Sequence, residues 1–313
     1  MKKVLLTGAS GFIGRHCLTL LQAKDYEVHA VSTKPVVPVI NETGSNVYWH
    51  QADLLNPQST EELLAEVRPT HLLHLAWYTV PREYWTSTEN LSWVQGSLAL
   101  FQSFVKYGGE RAVVAGTCAE YDWDSNCCSE TTTALAPTTL YGSCKHALQL
   151  ILSAFAAQQG LSLAWGRIFF LYGPNEDPAR LVASVIQSLL KGQIARCTSG
   201  QQVRDFLYVK DVADAFVSLL VSPATGPINI ASGVPVTLRE VVEEIGRQFG
   251  RPDLIQFGAL PDRANDPACL VADITRLREE LGWRPNYELT MGLARTIEWW
   301  KKEFEIASRG KIK

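Results

Sequence analysis

Tyr141 and Lys145 stand four residues apart in the run Pro137-Thr138-Thr139-Leu140-Tyr141-Gly142-Ser143-Cys144-Lys145. On a helix that spacing puts a phenol and an ammonium on one face. A nearby cation favours phenolate, so the pattern predicts a tyrosine pKa lowered toward working pH and a group able to move a proton. Lys145 can also hold a cofactor ribose. Tyr-x-x-x-Lys alone is common by chance, but Gly116-Thr117 lies upstream, with a hydroxyl able to bind the same substrate oxygen. A second constellation is Thr7-Gly8-Ala9-Ser10-Gly11-Phe12-Ile13-Gly14. Glycines at that spacing permit a tight turn and a close backbone approach to a pyrophosphate resting on a helix N-terminus. Gly8, Ser10, Gly11, Phe12, Ile13 and Gly14 are therefore candidate cofactor-binding residues.

These groups need elements to hold them. Lys3-Val4-Leu5-Leu6-Thr7 reads as a strand buried on both faces, Phe12 to Ala23 as a helix and Glu27 to Val31 as a second strand. Val47-Tyr48-Trp49 is a short third strand, and Asn56-Pro57 opens a helix as N-cap and first-turn proline. His71 to Leu75 and Ala112 to Ala115 are further strands, separated by a helix around Leu91 to Val105. The alternation predicts an α/β fold, a doubly wound parallel sheet of the Rossmann type. Residues 1–166 would form the NAD(P)-binding domain and 167–313 mainly a smaller substrate domain, with a helix near 211–222 returning to the first. In the second part, Leu181 to Leu190 is a helix, Asp211 is expected to cap another, and Thr237-x-x-Glu240 is a capping box ahead of Gly250. Asp273 is expected to cap Ile274 to Leu281.

An NAD-binding fold usually ends its second strand on an acid that bonds the ribose 2′-hydroxyl. Here the place reads Val31-Ser32-Thr33-Lys34. Ser32 and Lys34 suit a 2′-phosphate, and Arg15 can add a second cation. NADP(H) is therefore the preferred cofactor and NAD(H) the alternative; Lys34 as an ordinary solvated lysine is the competing reading. Asp53-Leu54 follows the third strand, placed for the adenine edge.

Composition removes other classes. The chain has 46% hydrophobic and 19% charged residues, 29 basic against 32 acidic, and a formal charge of -3, which excludes disorder and disfavours a nucleic-acid partner. No apolar run approaches the ~20 residues of a membrane span. The seven cysteines form no C-x-x-C pair and an odd number makes a poor disulfide framework, so free thiols in a reducing cytoplasm are expected, with no metal site.

The motifs together resemble a known family. The glycine turn, His74-Leu75-Ala76, Thr117, Tyr141-x-x-x-Lys145, Arg167 with Tyr172-Gly173-Pro174, Arg204-Asp205-Phe206, Arg263-x-x-Asp266 and Leu281-Gly282-Trp283 follow in the order seen in extended short-chain dehydrogenases/reductases. Within these the chain is similar to the nucleotide-sugar epimerase/dehydratase/reductase group. The resemblance implies a catalytic triad of Thr117, Tyr141 and Lys145, with Leu75 and Ala76 near the cofactor. It implies a nucleoside-diphosphate sugar as partner, with Arg204 and Arg263 gripping the diphosphate through forked guanidinium contacts. It also implies a homodimer built on the helix after Asn90 and the helix after Tyr141.

Departures from the family pattern choose among reactions. Sugar 4,6-dehydratases of this group place Asp-Glu after the catalytic threonine; here stand Cys118 and Ala119. Its 3,5-epimerase/reductases place a cysteine at the second of those positions, so Cys118 is one residue early and reads as packing. Phe170 replaces an asparagine that contacts the substrate phosphate, and Asn175 is the substitute. The leading expectation is NADPH-dependent reduction of the 4-keto group of an NDP-4-keto-6-deoxy-hexose. The alternatives are a 4-epimerase on retained NAD and, remotely, a non-catalytic NADP-binding regulator.

Nine tryptophans beside two methionines are unusual. Trp49, Trp165 and Trp283 read as core. Trp77 and Trp85, with Thr79 between them, lie after the fourth strand, where an aromatic face suits the apolar side of a deoxy-sugar.

Overall fold

A computed structural model describes residues 2–35, 46–262 and 266–310. The first half alternates as read: β1 (Lys3–Thr7), α1 (Gly14–Gln22), β2 (Glu27–Ser32), β3 (Val47–Gln51), α2 (Pro57–Val67), β4 (His71–His74), α3 (Glu89–Lys106) and β5 (Arg111–Thr117). β6 (Cys127–Cys128), α4 (Leu140–Gln159), β7 (Ser162–Ile168), β8 (Phe170–Tyr172) and α5 (Leu181–Leu190) follow. β9 (Ala195–Arg196), β10 (Val203–Tyr208), α6 (Val209–Val221), β11 (Gly226–Ile230), β12 (Pro235–Thr237) and α7 (Leu238–Phe249) come next. The last elements are β13 (Ile255–Gln256), β14 (Cys269–Ala272), α8 (Thr275–Leu281) and α9 (Leu289–Gly310).

Seven strands form one parallel sheet in the order β11-β7-β5-β4-β1-β2-β3. The winding reverses at β1, so a crevice opens beyond its carboxyl end, between β1 and β4. Apolar runs such as Val4-Leu5-Leu6 are fully buried because helices cover both faces of the sheet. α6 packs against α1 and β11 pairs with β7, so residues beyond 166 complete the first sheet. The second sheet runs β12-β10-β14-β6, with β8 alongside β10.

Several local expectations change. Phe12 and Ile13 belong to the glycine turn, and α1 begins only at Gly14. Asp211 does not cap α6, which starts at Val209. It lies buried in the first turn, and its carboxylate accepts the backbone N–H of Asn286 and Tyr287 at 3.1 and 3.0 Å, which pins the approach to α9. α8 starts at Thr275 rather than Ile274, with Asp273 Oδ1 accepting the Thr275 N–H at 2.9 Å. Trp165 and Trp283 are core, and Trp49 packs partly buried against it. All seven cysteines are unpaired thiols.

One buried side chain fastens the two sheets together. Asn229 of β11 donates from its amide to the carbonyls of Cys128 (2.8 Å) and Asp273 (2.9 Å), and its Oδ1 accepts the Tyr121 hydroxyl at 2.8 Å. Asn229→Ala removes three hydrogen bonds, two of them to groups that keep another partner (the Cys128 carbonyl with the Asp273 N–H, the Tyr121 hydroxyl with Arg167), and should cost about 1–3 kcal/mol. The check is the urea midpoint of the variant against the parent; an unchanged midpoint would remove the clasp from the fold's essentials.

Candidate active site

The crevice beyond β1 is a cavity of about 260 Å³. Its walls are the glycine turn (Gly8, Gly11, Phe12, Ile13, Gly14), the segment after β4 (Leu75, Ala76, Trp77, Thr79) and the catalytic candidates Thr117 and Tyr141. The glycines are there for want of space. A Cβ on Gly14 would lie 2.1 Å from the Gly8 carbonyl oxygen, so the turn closes this tightly only with hydrogen at that position.

Thr7 ties the turn to β4. Its hydroxyl oxygen accepts the backbone N–H of Leu75 and Ala76 at 3.1 and 3.2 Å. Its single proton is then left for His74 Nδ1, 2.8 Å away. Nε2 of that imidazole therefore carries the hydrogen and donates to Ser97 Oγ at 3.0 Å. Burial holds the ring neutral, with its pKa pushed down to about 3. Leu75 and Ala76 are thus fixed where they line the cavity.

The catalytic candidates rest on a residue that motif reading missed. Thr117 ends β5 and caps a single 3-10 turn, Cys118–Glu120, its Oγ1 accepting the Ala119 N–H at 3.2 Å. Glu120 completes the box: Oε1 accepts the Thr117 N–H and the Trp165 indole N–H, both at 2.9 Å, and Oε2 accepts Arg167 Nε at 2.8 Å. Both charged side chains of that ion pair are fully buried. Arg167 reaches on to the Tyr121 hydroxyl at 3.0 Å, and from there the chain of bonds meets the Asn229 clasp. Gly116 must be glycine for this, because a Cβ would stand 2.0 Å from the Trp165 indole nitrogen. The signal was present: Thr117-x-x-Glu120 has the spacing of the capping box at Thr237-x-x-Glu240.

Tyr141 and Lys145 share a face of α4, as the spacing predicts, but the expected lowering of the tyrosine pKa is absent. Burial pushes the phenol well above its ordinary value, with Tyr84 adding to the shift and a hydrogen bond from the Thr117 side chain opposing it. The physical reason is that desolvation outweighs the partner. Lys145 is itself buried, and the same penalty drives its pKa down to about 7, with Glu120 opposing. Its Nζ donates to the Ala115 carbonyl at 2.8 Å. Lys145 does not line the cavity wall; it backs it.

Other expected ligand contacts are spent inside the protein. Arg15 donates to the carbonyls of Gly11 and Ser10 and to Asn175 Oδ1. Arg15 and Asn175 thus hold each other and brace the turn. Ser32 Oγ accepts the Lys34 N–H, while the Lys34 side chain is exposed beyond β2. Asp53 closes a local turn to Leu55 N, and Leu54 is buried; neither lines the cavity. Arg204 is buried and paired with Asp266 at 2.7 Å, neither of its neighbours Asp205 and Asp211. Asp205 instead accepts from Ser232 and Gly233. Arg263 lies outside the described residues. Cys118 is buried in the core cluster, as its packing role requires.

Trp77 reaches the cavity and Trp85 does not. Trp85 packs edge-on behind Tyr141, with ring centroids 5.7 Å apart, and against Trp123 at 6.0 Å. Tyr84 lines the cavity and stacks edge-on to Tyr141 at 4.9 Å. Arg180, Ile168, Phe169 and Leu171 line it too and were not expected. Arg180, 5.6 Å from the Tyr84 ring, is an exposed cation just ahead of α5, and a lone arginine in a loop carries no pattern to find it by.

The pattern of the NAD-dependent epimerase/dehydratase family matches residues 4–231, and the chain belongs to that family. Its relatives are nucleotide-sugar epimerases, decarboxylases and dehydratases of the extended short-chain dehydrogenase/reductase type, and the chain is an enzyme of that oxidoreductase class. It is 26% identical over 308 residues to the CDP-abequose synthase of Salmonella typhimurium, covering 94% of this chain and 97% of that one. It superimposes with a TM-score of 0.85 on the UDP-glucose 4-epimerase of Thermotoga maritima, solved with UDP-glucose, at 26% identity over 96% of this chain and 99% of that one. The UDP-glucose 4-epimerase of Thermus thermophilus, solved with NAD, gives 0.80 at 28% identity over the same shares. No helix among the described residues is long and apolar enough to cross a membrane.

Glu120→Ala removes one partner of a fully buried ion pair and frees the Thr117 turn. Stability should fall by about 3–5 kcal/mol. Glu120→Gln, which keeps the carbonyl acceptor, should lose less. Chemical denaturation of both variants checks this, and equal losses would mean that the capping bonds contribute nothing.

Proposed function

We propose that the protein is a nucleotide-sugar 4-ketoreductase that uses NADPH to reduce an NDP-4-keto-6-deoxy-hexose. The observation that carries this reading is the chemistry of the cavity wall. Among the described residues, no carboxylate, imidazole or thiol lines it; its polar side chains are Thr79, Tyr84, Thr117, Tyr141 and Arg180. Elimination of water from a sugar requires a separate acid and base, and Ala119 and Cys118 stand buried where the family's dehydratases carry them. One proton donor beside a hydroxyl suffices for a ketone. Glu120, three residues past Thr117, is turned into Arg167 and serves the scaffold.

The glycine turn and the N-terminus of α1 fit a dinucleotide pyrophosphate, and the cavity joins them to Thr117 and Tyr141. Bound there, NADPH supplies the hydride. The balanced reaction takes ketone, NADPH and a proton to secondary alcohol and NADP⁺. Thr117 Oγ1 and the Tyr141 hydroxyl hold the C4 oxygen, and Tyr141 gives it the proton. A phenol kept protonated by burial is in the form this direction needs. The ammonium of Lys145 then offsets the phenolate left behind. Arg180 at the cavity wall is a cation within reach of a diphosphate. Exposed Lys34, with no acid in Ser32–Pro35 at the end of β2, favours a 2′-phosphorylated cofactor, although the Thermus relative was solved with NAD. The second sheet, carrying β8, β10, β12 and β14, closes over the sugar nucleotide as a substrate domain.

The 4-epimerase reading keeps support from the two epimerase structures, since oxidation and return at the same carbon need the same three residues. Cofactor use separates them. Purified protein given CDP-, dTDP- and UDP-linked 4-keto-6-deoxy-hexoses should oxidise NADPH in step with at least one of them. Protein that carries tight NAD and oxidises no NADPH with any keto-sugar would refute the reductase. Tyr141→Phe should lower kcat by about 10²–10⁴ while cofactor affinity, followed by fluorescence, stays the same.

We also propose a homodimer through α3 and α4. Phe101 and Leu148 face the sheet, but Leu91, Leu150 and Ile151 are 50%, 54% and 46% exposed on this helix pair. Leu150→Asp combined with Ile151→Asp should turn a dimer into a monomer in light scattering. A parent already monomeric would overturn this assembly.

A further inference from the structure

Lys145 carries a charge that no carboxylate touches. Among the described residues none lies within ion-pair distance of its Nζ, and the side chain is 3% exposed. One N–H goes to the Ala115 carbonyl. The other close neighbour is an aromatic face: the Trp77 ring centroid is 3.7 Å from Nζ. That is well inside the ~6 Å over which an ammonium feels a ring quadrupole, and the attraction is largest where water is excluded.

The indole is itself fixed. Trp77 Nε1 donates to Asn90 Oδ1 at 2.8 Å, and the fully buried Asn90 donates its amide to the Tyr84 and Ser87 carbonyls at 2.7 and 2.8 Å. Asn90 thereby ties three points of the loop between β4 and α3 to one another. A second ring, Trp93, backs the indole at 6.0 Å. These bonds explain why Trp77, expected as a wall for a deoxy-sugar, presents its face to Lys145.

We propose that Trp77 is a positioning residue for Lys145: its ring face takes the place of a counter-carboxylate, keeping the buried ammonium charged and in place one helical turn from Tyr141. This rests on the reading of Tyr141 and Lys145 as the proton-transfer pair. The other groups facing Lys145 are Glu120 beyond β5, which favours its charged form, and His74 on β4, which is neutral; Tyr141 stands one helical turn away on α4. None supplies a direct ionic contact.

The test replaces Trp77 site-specifically with fluorinated tryptophans. These keep the size and the indole N–H but drain the ring face of electron density. Lys145 is followed by the ¹³C shift of its ε-carbon in lysine-labelled full-length protein, with Lys145→Arg assigning the signal. Its midpoint, near 7 in the parent, should fall with each added fluorine, by about one pH unit in the fully fluorinated ring. Trp77→Phe, with a weaker face, should give an intermediate fall and serves if a fluorinated protein does not fold. A midpoint that stays put or rises along the series would overturn the proposal and leave Trp77 as a cover that only excludes water. No substrate is needed, so the outcome is separate from that of the catalytic reading, which fails instead if Tyr141→Phe retains activity.

Discussion

The site depends on a carboxylate that takes no part in its chemistry. Glu120 is fully buried, and three donors from three places converge on it: the Thr117 N–H, the Trp165 indole and the Arg167 guanidinium. A buried charge of this kind is tolerable only when it is paired and hydrogen-bonded. Satisfying it therefore dictates how the end of β5 lies against β7. That fixes Thr117, which fixes the hydroxyl beside Tyr141. The same network continues through Tyr121 to Asn229, and so to both sheets. The Thr117 hydroxyl and the junction between the layers are parts of one hydrogen-bonded structure.

Burial also decides the electrostatics of Tyr141 and Lys145. Proximity alone says that an ammonium lowers a phenol's pKa, and four-residue spacing supplies the proximity. In the folded chain both groups are stripped of water, and the penalty falls on whichever form is charged. The phenol is held protonated and the pKa of the lysine is brought down to about 7. Such a pair is poised to give a proton to a developing alkoxide, and the aromatic groups packed around it are what keep water out.

Much of this was legible before the fold was known. The glycine turn, the helix of Tyr141, the hydroxyl at Thr117 and the packing of Cys118 follow from residue types and order, because each is a local matter of backbone space or helical spacing. Pairings across the sheet were not legible. Nothing in the stretch around Glu120 announces Arg167, which is adjacent only because β5 and β7 are neighbours. The capping box there was readable but spans a single 3-10 turn, too short for the apolar periodicity that drew notice to Thr237 and Glu240. Arg15 and Arg204 were expected as ligand contacts from their charge and place in a motif, and Asn175 as the substitute for Phe170. Their partners in the fold, each other and Asp266, come from segments far apart in the chain.

In the proposed reaction hydride passes from an exchangeable cofactor to C4 of a keto-sugar, with no return. NADPH deuterated at the transferring carbon of its nicotinamide, given with an NDP-4-keto-6-deoxy-hexose that the enzyme accepts, tests it most directly. The expected product is a single alcohol carrying deuterium at C4, with one NADP⁺ released for each sugar reduced. A C4 hydrogen that comes from the sugar itself, with the two epimers interconverting on retained NAD and no label incorporated, would contradict it.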